Sequence, residues 1–81
     1  MATGARILVV EDESAIRELI RDSLSLVEIE TDGASDGLEA LNKLRHQNFD
    51  LVILDVNIPK IDGLALLSKI RGEGSEIPVL V

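Results

Sequence analysis

Two acids end one short apolar run, and a third ends another. Ile7 to Val10 stops abruptly at Glu11-Asp12-Glu13-Ser14, and the run from Asp50 to Leu54 stops at Asp55. Such runs, rich in β-branched and aliphatic residues, read as strands covered on both faces, as in parallel sheets. In open parallel sheets, ligands sit outside the carboxyl ends of the strands. If these two strands are neighbours, three carboxylates meet at one end of the sheet. Like charges held close together resist ionising. A hard divalent cation resolves the conflict, because Mg²⁺ takes a few carboxylate oxygens, keeps several waters and accepts a phosphate oxygen. Within such a site Asp55 has the chemistry of a nucleophile, since a carboxylate attacking phosphorus yields an aspartyl phosphate. The cation neutralises charge on the phosphoryl oxygens during transfer.

Each of these residues also has a plainer reading. Glu11-Asp12 is a common way to start a helix, and Asp55 alone would be an ordinary loop acid. Asn57 is able to hydrogen-bond its own turn. Asp62-Gly63 is most simply a turn and helix N-cap. Asp55 and Asn57 also open like a calcium loop, but Pro59 and Lys60 fit that pattern poorly. His46, at the end of an exposed helix face, reads as solvated. The weight on the chemical reading comes from two separate strand ends in the right chain order.

The elements that must position these acids follow from hydrophobic spacing. Ile16, Leu19, Ile20 and Leu24 recur at helical intervals, with Arg17, Glu18, Arg21 and Asp22 between them. They predict an amphipathic first helix of about three turns, capped by Asp12 or Ser14. Val27 to Thr31 alternates, which predicts a half-exposed or edge strand. No Gly or Asn separates it from the helix. Asp36 and Glu39 have capping-box spacing and open a second helix, with Leu38, Leu41 and Leu44 on its buried face and its end near Gln47. A turn around Pro59 leads to a third helix carrying Leu64, Leu67 and Ile70, ended by Gly72 and Gly74. Pro78 to Val81 begins a fourth strand. The order β-α-β-α-β-α-β predicts one α/β domain over residues 1–81, with parallel strands and right-handed crossovers.

Composition narrows the function classes. The 81 residues carry 15 acids against 8 bases, a formal charge of −7. No basic stripe is present to displace counterions, which argues against nucleic acid as a partner and against an anionic membrane surface. No cysteine is present, so there is neither a disulfide framework nor a thiolate metal site. That suits a cytoplasmic protein. The first residues have no long apolar stretch of the signal-peptide kind. Phe49 is the one aromatic residue, so the core must be aliphatic.

Three stretches together resemble the receiver domain of two-component response regulators. They are Ile7-Leu-Val-Val-Glu-Asp-Glu, Asp36-Gly-Leu-Glu-Ala-Leu and Asp50-Leu-Val-Ile-Leu-Asp-Val-Asn-Ile-Pro-Lys-Ile-Asp-Gly. The third has the D-x-x-x-P-x-x-D-G spacing of that family, and coverage runs from about Arg6 to Val81. The resemblance implies a flavodoxin-like parallel sheet, here with strand order 2-1-3-4. It implies Mg²⁺-dependent phosphotransfer from a sensor histidine kinase to Asp55, in a signalling domain rather than an enzyme. Asp12 matches a direct Mg²⁺ ligand, and Glu11 matches the acid beside it, which often acts through water. Asn57 matches the position whose backbone carbonyl binds the metal. Pro59, Asp62 and Gly63 match the residues that shape the loop after the phosphorylation site.

A family receiver continues past the fourth strand. There the resemblance implies a switching Ser or Thr, a Lys at the end of a fifth strand, and two further helices. The sequence stops at Val81, and Lys43, Lys60 and Lys69 are in the wrong places to substitute. The resulting expectation is a domain with the Mg²⁺ half of its site and without the switching half. An apolar fourth strand at the sheet edge invites pairing, so a lone monomer is expected to be marginal. A second copy or a complementing polypeptide would then associate at that edge. The alternative to a phosphoacceptor is therefore a truncated or engineered receiver fragment that self-associates and has no phosphorelay activity.

Overall fold

The computed structural model describes residues 4–55 and 63–81. Its elements alternate as expected: β1 (Arg6–Val10), α1 (Ser14–Ser25), β2 (Glu30–Ala34), α2 (Gly37–His46), β3 (Leu51–Leu54), α3 (Gly63–Gly72) and β4 (Val79–Leu80). The four strands form one sheet in the order β2-β1-β3-β4, and every pairing is parallel. The chain moves one way from β1 to β2 and then reverses to reach β3. Right-handed crossovers therefore put α1 on one face and α2 and α3 on the other.

The period of two along each strand divides the sheet between these layers. Leu8, Val10, Val52 and Leu54 join Ala34, Ala40, Leu41, Leu66 and Ile70 in the main core, with Leu44, Phe49, Ile77 and Val79 packed against it. Ile7 and Val9, also buried, alternate with these and face α1. The two-sided burial of β1 is what its continuous apolar run predicted. The α1 layer is thinner. No α1 side chain is buried, and Leu19 remains 66% exposed. At the amino-terminal end of the sheet, Arg6 stacks over the Phe49 ring at 4.9 Å and donates to Gln47 Oε1 at 2.8 Å.

Several boundaries differ from the sequence expectation. β2 runs over Glu30–Ala34, not Val27–Thr31. Val27 and Glu28 instead close the end of α1. Glu28 N–H donates to Ser25 O at 3.0 Å and Ile29 N–H to Leu24 O at 3.1 Å, while Glu28 sits at φ 61°. This is a Schellman closure, with a glutamate where glycine is usual. β2 is an edge strand, as expected, but the alternating stretch on which that expectation rested lies mostly before it. The residue at the N-cap of α1 is Glu13, with no side-chain cap bond, so neither Asp12 nor Ser14 serves. Ser14 is already the first helical residue, and the Asp12 carboxylate lies with those of Glu11 and Asp55. Leu38 and Leu64 are exposed, at 56% and 67%. Each opens its helix just after the first residue, beyond the reach of the core, and Ala40 and Leu66 take the buried positions.

Candidate phosphoacceptor and metal site

Backbone hydrogen bonds carry the strand ladders one residue past β1 and β3, and those residues are the acids. Glu11 N–H donates to Ala34 O at 3.0 Å, and Asp55 N–H donates to Val10 O at 3.0 Å. The register that pairs Val10 with Leu54 therefore fixes where both side chains start. Glu11, Asp12 and Asp55 each bring one carboxylate oxygen within 4.8 Å of the other two. The convergence expected from two neighbouring strand ends is present in the fold.

The three acids differ in exposure. Asp12 is exposed, Asp55 half-buried and Glu11 buried. Burial raises the Glu11 carboxyl pKa to about 7, helped by hydrogen bonding with the Asp12 and Asp55 carboxyls and by the charge of Asp55. The backbone N–H of Glu13 pulls weakly the other way. Oε2 of Glu11 is buried without a hydrogen-bond partner among the described residues. Buried oxygens of this kind ordinarily have one. An oxygen-only cluster with one unsatisfied buried carboxylate oxygen suits a hard divalent cation such as Mg²⁺.

The expectations for Asn57, Pro59 and Asp62 lie outside the described residues. Gly63 is described, and it is the buried first residue of α3. Two residues around the site were not singled out by sequence. Arg17 on α1 donates from Nη1 to the carbonyl oxygen of Glu11 at 2.8 Å, yet it reads in sequence as a polar spacer between Ile16 and Leu19. Gly33 lies beneath the Arg17 stem. An isolated glycine inside a strand signals a close approach, but the expected strand stopped before it.

Comparison with known proteins agrees with this architecture. The family model for the response regulator receiver domain matches residues 7–81. The chain is 43% identical over 78 residues to the response regulator MprA of Mycobacterium tuberculosis, covering 96% of this chain and 34% of MprA. It therefore spans about a third of that relative's length. Among solved structures, a Francisella response regulator receiver domain superposes with a TM-score of 0.91 at 32% identity, covering 94% of this chain and 63% of that one. TrrA of Thermotoga maritima, in complex with Mg²⁺ and BeF, matches with a TM-score of 0.82 at 48% identity over 85% of this chain and 60% of that one. A structure of TrrA with the histidine kinase ThkA matches with a TM-score of 0.86 at 44% identity, covering 93% of this chain and 65% of that one. The fold and the acid-ended strands are those of a signalling receiver. The chain belongs to the response regulator receiver domain family.

Proposed function

We propose that this domain accepts a phosphoryl group on Asp55 from the phosphohistidine of a sensor kinase, with Mg²⁺ bound by the neighbouring acids. The observation that carries this reading is the meeting of Glu11, Asp12 and Asp55 within 4.8 Å at the carboxyl ends of β1 and β3. Asp12, Asp55 and the Asn57 backbone carbonyl would hold the cation, with Glu11 beside them. When bound, the cation supplies charge neutralisation for the phosphoryl oxygens. An oxygen of the half-exposed Asp55 carboxylate attacks phosphorus. The P–N bond to the donor histidine breaks, and the imidazole nitrogen leaves with the electron pair and takes up a proton. Glu11, buried behind with Oε2 unpartnered among the described residues, would complete the acidic set around a bound cation. Pro59, Asp62 and Gly63 would shape the loop that follows. The TrrA complexes with Mg²⁺ and BeF and with a kinase support the reading by family likeness. A cytoplasmic location would suit a partner kinase of this kind. Incubation with acetyl phosphate and Mg²⁺, followed by intact-mass measurement, tests the reading. One phosphoryl group should add to the native chain and none to Asp55→Asn. Equal gain by both would place the chemistry elsewhere.

A second proposal concerns assembly. β4 ends the sheet, with Leu80 59% and Val81 67% exposed. By register Leu80 lies beside Ile53 on the α1 face, where Leu19 is exposed too. An apolar sheet edge of this kind favours pairing with another chain. The 81-residue chain is therefore proposed to associate with a second copy, or with a complementing polypeptide, along β4. If association alone were its role, phosphoryl transfer to Asp55 would be absent.

A further inference from the structure

We infer that Arg17 is a positioning residue for the acidic site, held over Gly33 so that its guanidinium fixes the backbone of Glu11. This rests on the reading of Glu11, Asp12 and Asp55 as a Mg²⁺ site. Arg17 is the fourth residue of α1 and lies six residues after Glu11 in the chain. Its side chain reaches back along the helix, and Nη1 donates to the Glu11 carbonyl at 2.8 Å. The stem crosses β2 where there is no side chain to block it. A Cβ at Gly33 would stand 3.0 Å from Arg17 Cδ and 3.3 Å from Nε. Gly33 has no positive φ among the residues that do, so its backbone does not need glycine. The space above it is what Arg17 uses.

The arrangement ties three elements together at Glu11. The Glu11 N–H is held by β2 through Ala34 O, and its carbonyl is held by α1 through Arg17. Both sides of the residue are therefore fixed, and its carboxylate leaves the backbone in one direction. Gly33 is itself held from the opposite layer, because Lys43 on α2 donates to its carbonyl oxygen. The strand beneath the Arg17 stem is thus braced against movement.

A cation placed near a cation site ordinarily weakens binding by repulsion. The two roles of Arg17 therefore predict opposite signs. If only its charge matters, removing it tightens Mg²⁺ binding. If it positions Glu11, removing it loosens binding, by about tenfold on the scale known for groups that orient metal ligands. Arg17→Met keeps the stem and removes both donor and charge. Gly33→Val leaves Arg17 in the sequence but fills the space under its stem, and valine suits a strand.

The experiment is Mg²⁺ titration by calorimetry on the native chain, Arg17→Met, Gly33→Val and the double variant. Each is first verified as folded by its amide NMR spectrum. The expected result is binding about tenfold weaker in each single variant, and no further loss in the double variant, because no guanidinium remains there for Gly33→Val to pull away from the Glu11 carbonyl. The Glu11 carbonyl ¹³C resonance of the metal-free protein should shift in every variant. Folded Arg17→Met and Gly33→Val chains that bind Mg²⁺ as tightly as the native chain, or more tightly, would overturn the inference while leaving the metal site standing. If the native chain binds no Mg²⁺, the proposed function fails and this inference fails with it.

Discussion

Glu11 and Asp55 sit at equivalent strand ends, yet the fold treats them differently. Asp55 keeps contact with solvent, as its proposed role as phosphoryl acceptor requires. Glu11 is buried, and its carboxyl is raised to about 7 by that burial and by its acidic neighbours. A site built this way is poorly satisfied without a counter-charge. Asp32 shows the opposite balance. Burial pushes its carboxyl up, but hydrogen bonds from Lys43 and from the Gly33 N–H, with the charges of Lys43 and Arg21, outweigh this and hold it below the usual carboxylate range. The Lys43–Asp32 bridge is 2.9 Å long. A carboxyl depressed on folding adds stability above its unfolded pKa and loses it as pH falls through the folded value. Asp32→Asn should therefore cost about 1 kcal/mol at neutral pH. That deficit should shrink as the pH is lowered below about 4. Urea unfolding of both proteins across this range measures it.

At the scale of elements, what the sequence disclosed depended on whether one residue type announced the geometry. α3 ends in a Schellman closure with Gly74 at φ 85°, where Gly74 N–H bonds Arg71 O and Ser75 N–H bonds Ile70 O. Glycine marks that stop plainly, and it was legible. α1 ends in the same closure, but Glu28 occupies the left-handed position. Nothing in the residue types marks it, so the strand was expected three residues too early and Gly33 fell outside it. The capping box was legible in Asp36 and Glu39. Asp36 Oδ1 accepts from Glu39 N–H at 2.9 Å, although the Glu39 carboxylate reaches back to Ser35 N–H instead, at 2.6 Å. The acid triad was legible because β1 and β3 are apolar runs that end in acids. Arg17 was not, because its role depends on a glycine from another strand. A non-glycine residue in the left-handed region costs about 1 kcal/mol or more. Glu28→Gly should raise stability by about 0.5–1 kcal/mol, after allowing for the added freedom of the unfolded chain. Thermal unfolding reads that gain directly. A loss of stability would mean that the glutamate side chain matters more than its backbone.

For the whole molecule, the sheet has one well-filled side and one thin side. The α2–α3 layer holds the large core. The α1 layer shields Ile7 and Val9 but leaves Ile16 and Leu19 exposed. Among the described residues no helix is long and apolar enough to cross a membrane. Covering a few hundred Å² of apolar surface is worth several kcal/mol, at about 25 cal/mol per Å². Typical domains have only about 5–15 kcal/mol in total. The proposed pairing along β4 predicts concentration-dependent association of the 81-residue chain in sedimentation velocity. Leu80→Lys should reduce it, because a lysine on an edge strand opposes pairing. A stable, cooperatively folded monomer at low concentration would defeat this expectation. The same whole-molecule view accounts for the acid cluster, since the β2-β1-β3-β4 order makes β1 and β3 neighbours and brings Glu11 and Asp12 beside Asp55. The most direct test is to trap the phosphoryl group where it lands. The chain is treated with acetyl phosphate and Mg²⁺, reduced with borohydride and sequenced as peptides. Homoserine is expected in place of Asp55, formed only when Mg²⁺ is present. Reduction at another acid, or at Asp55 equally without the metal, would contradict it.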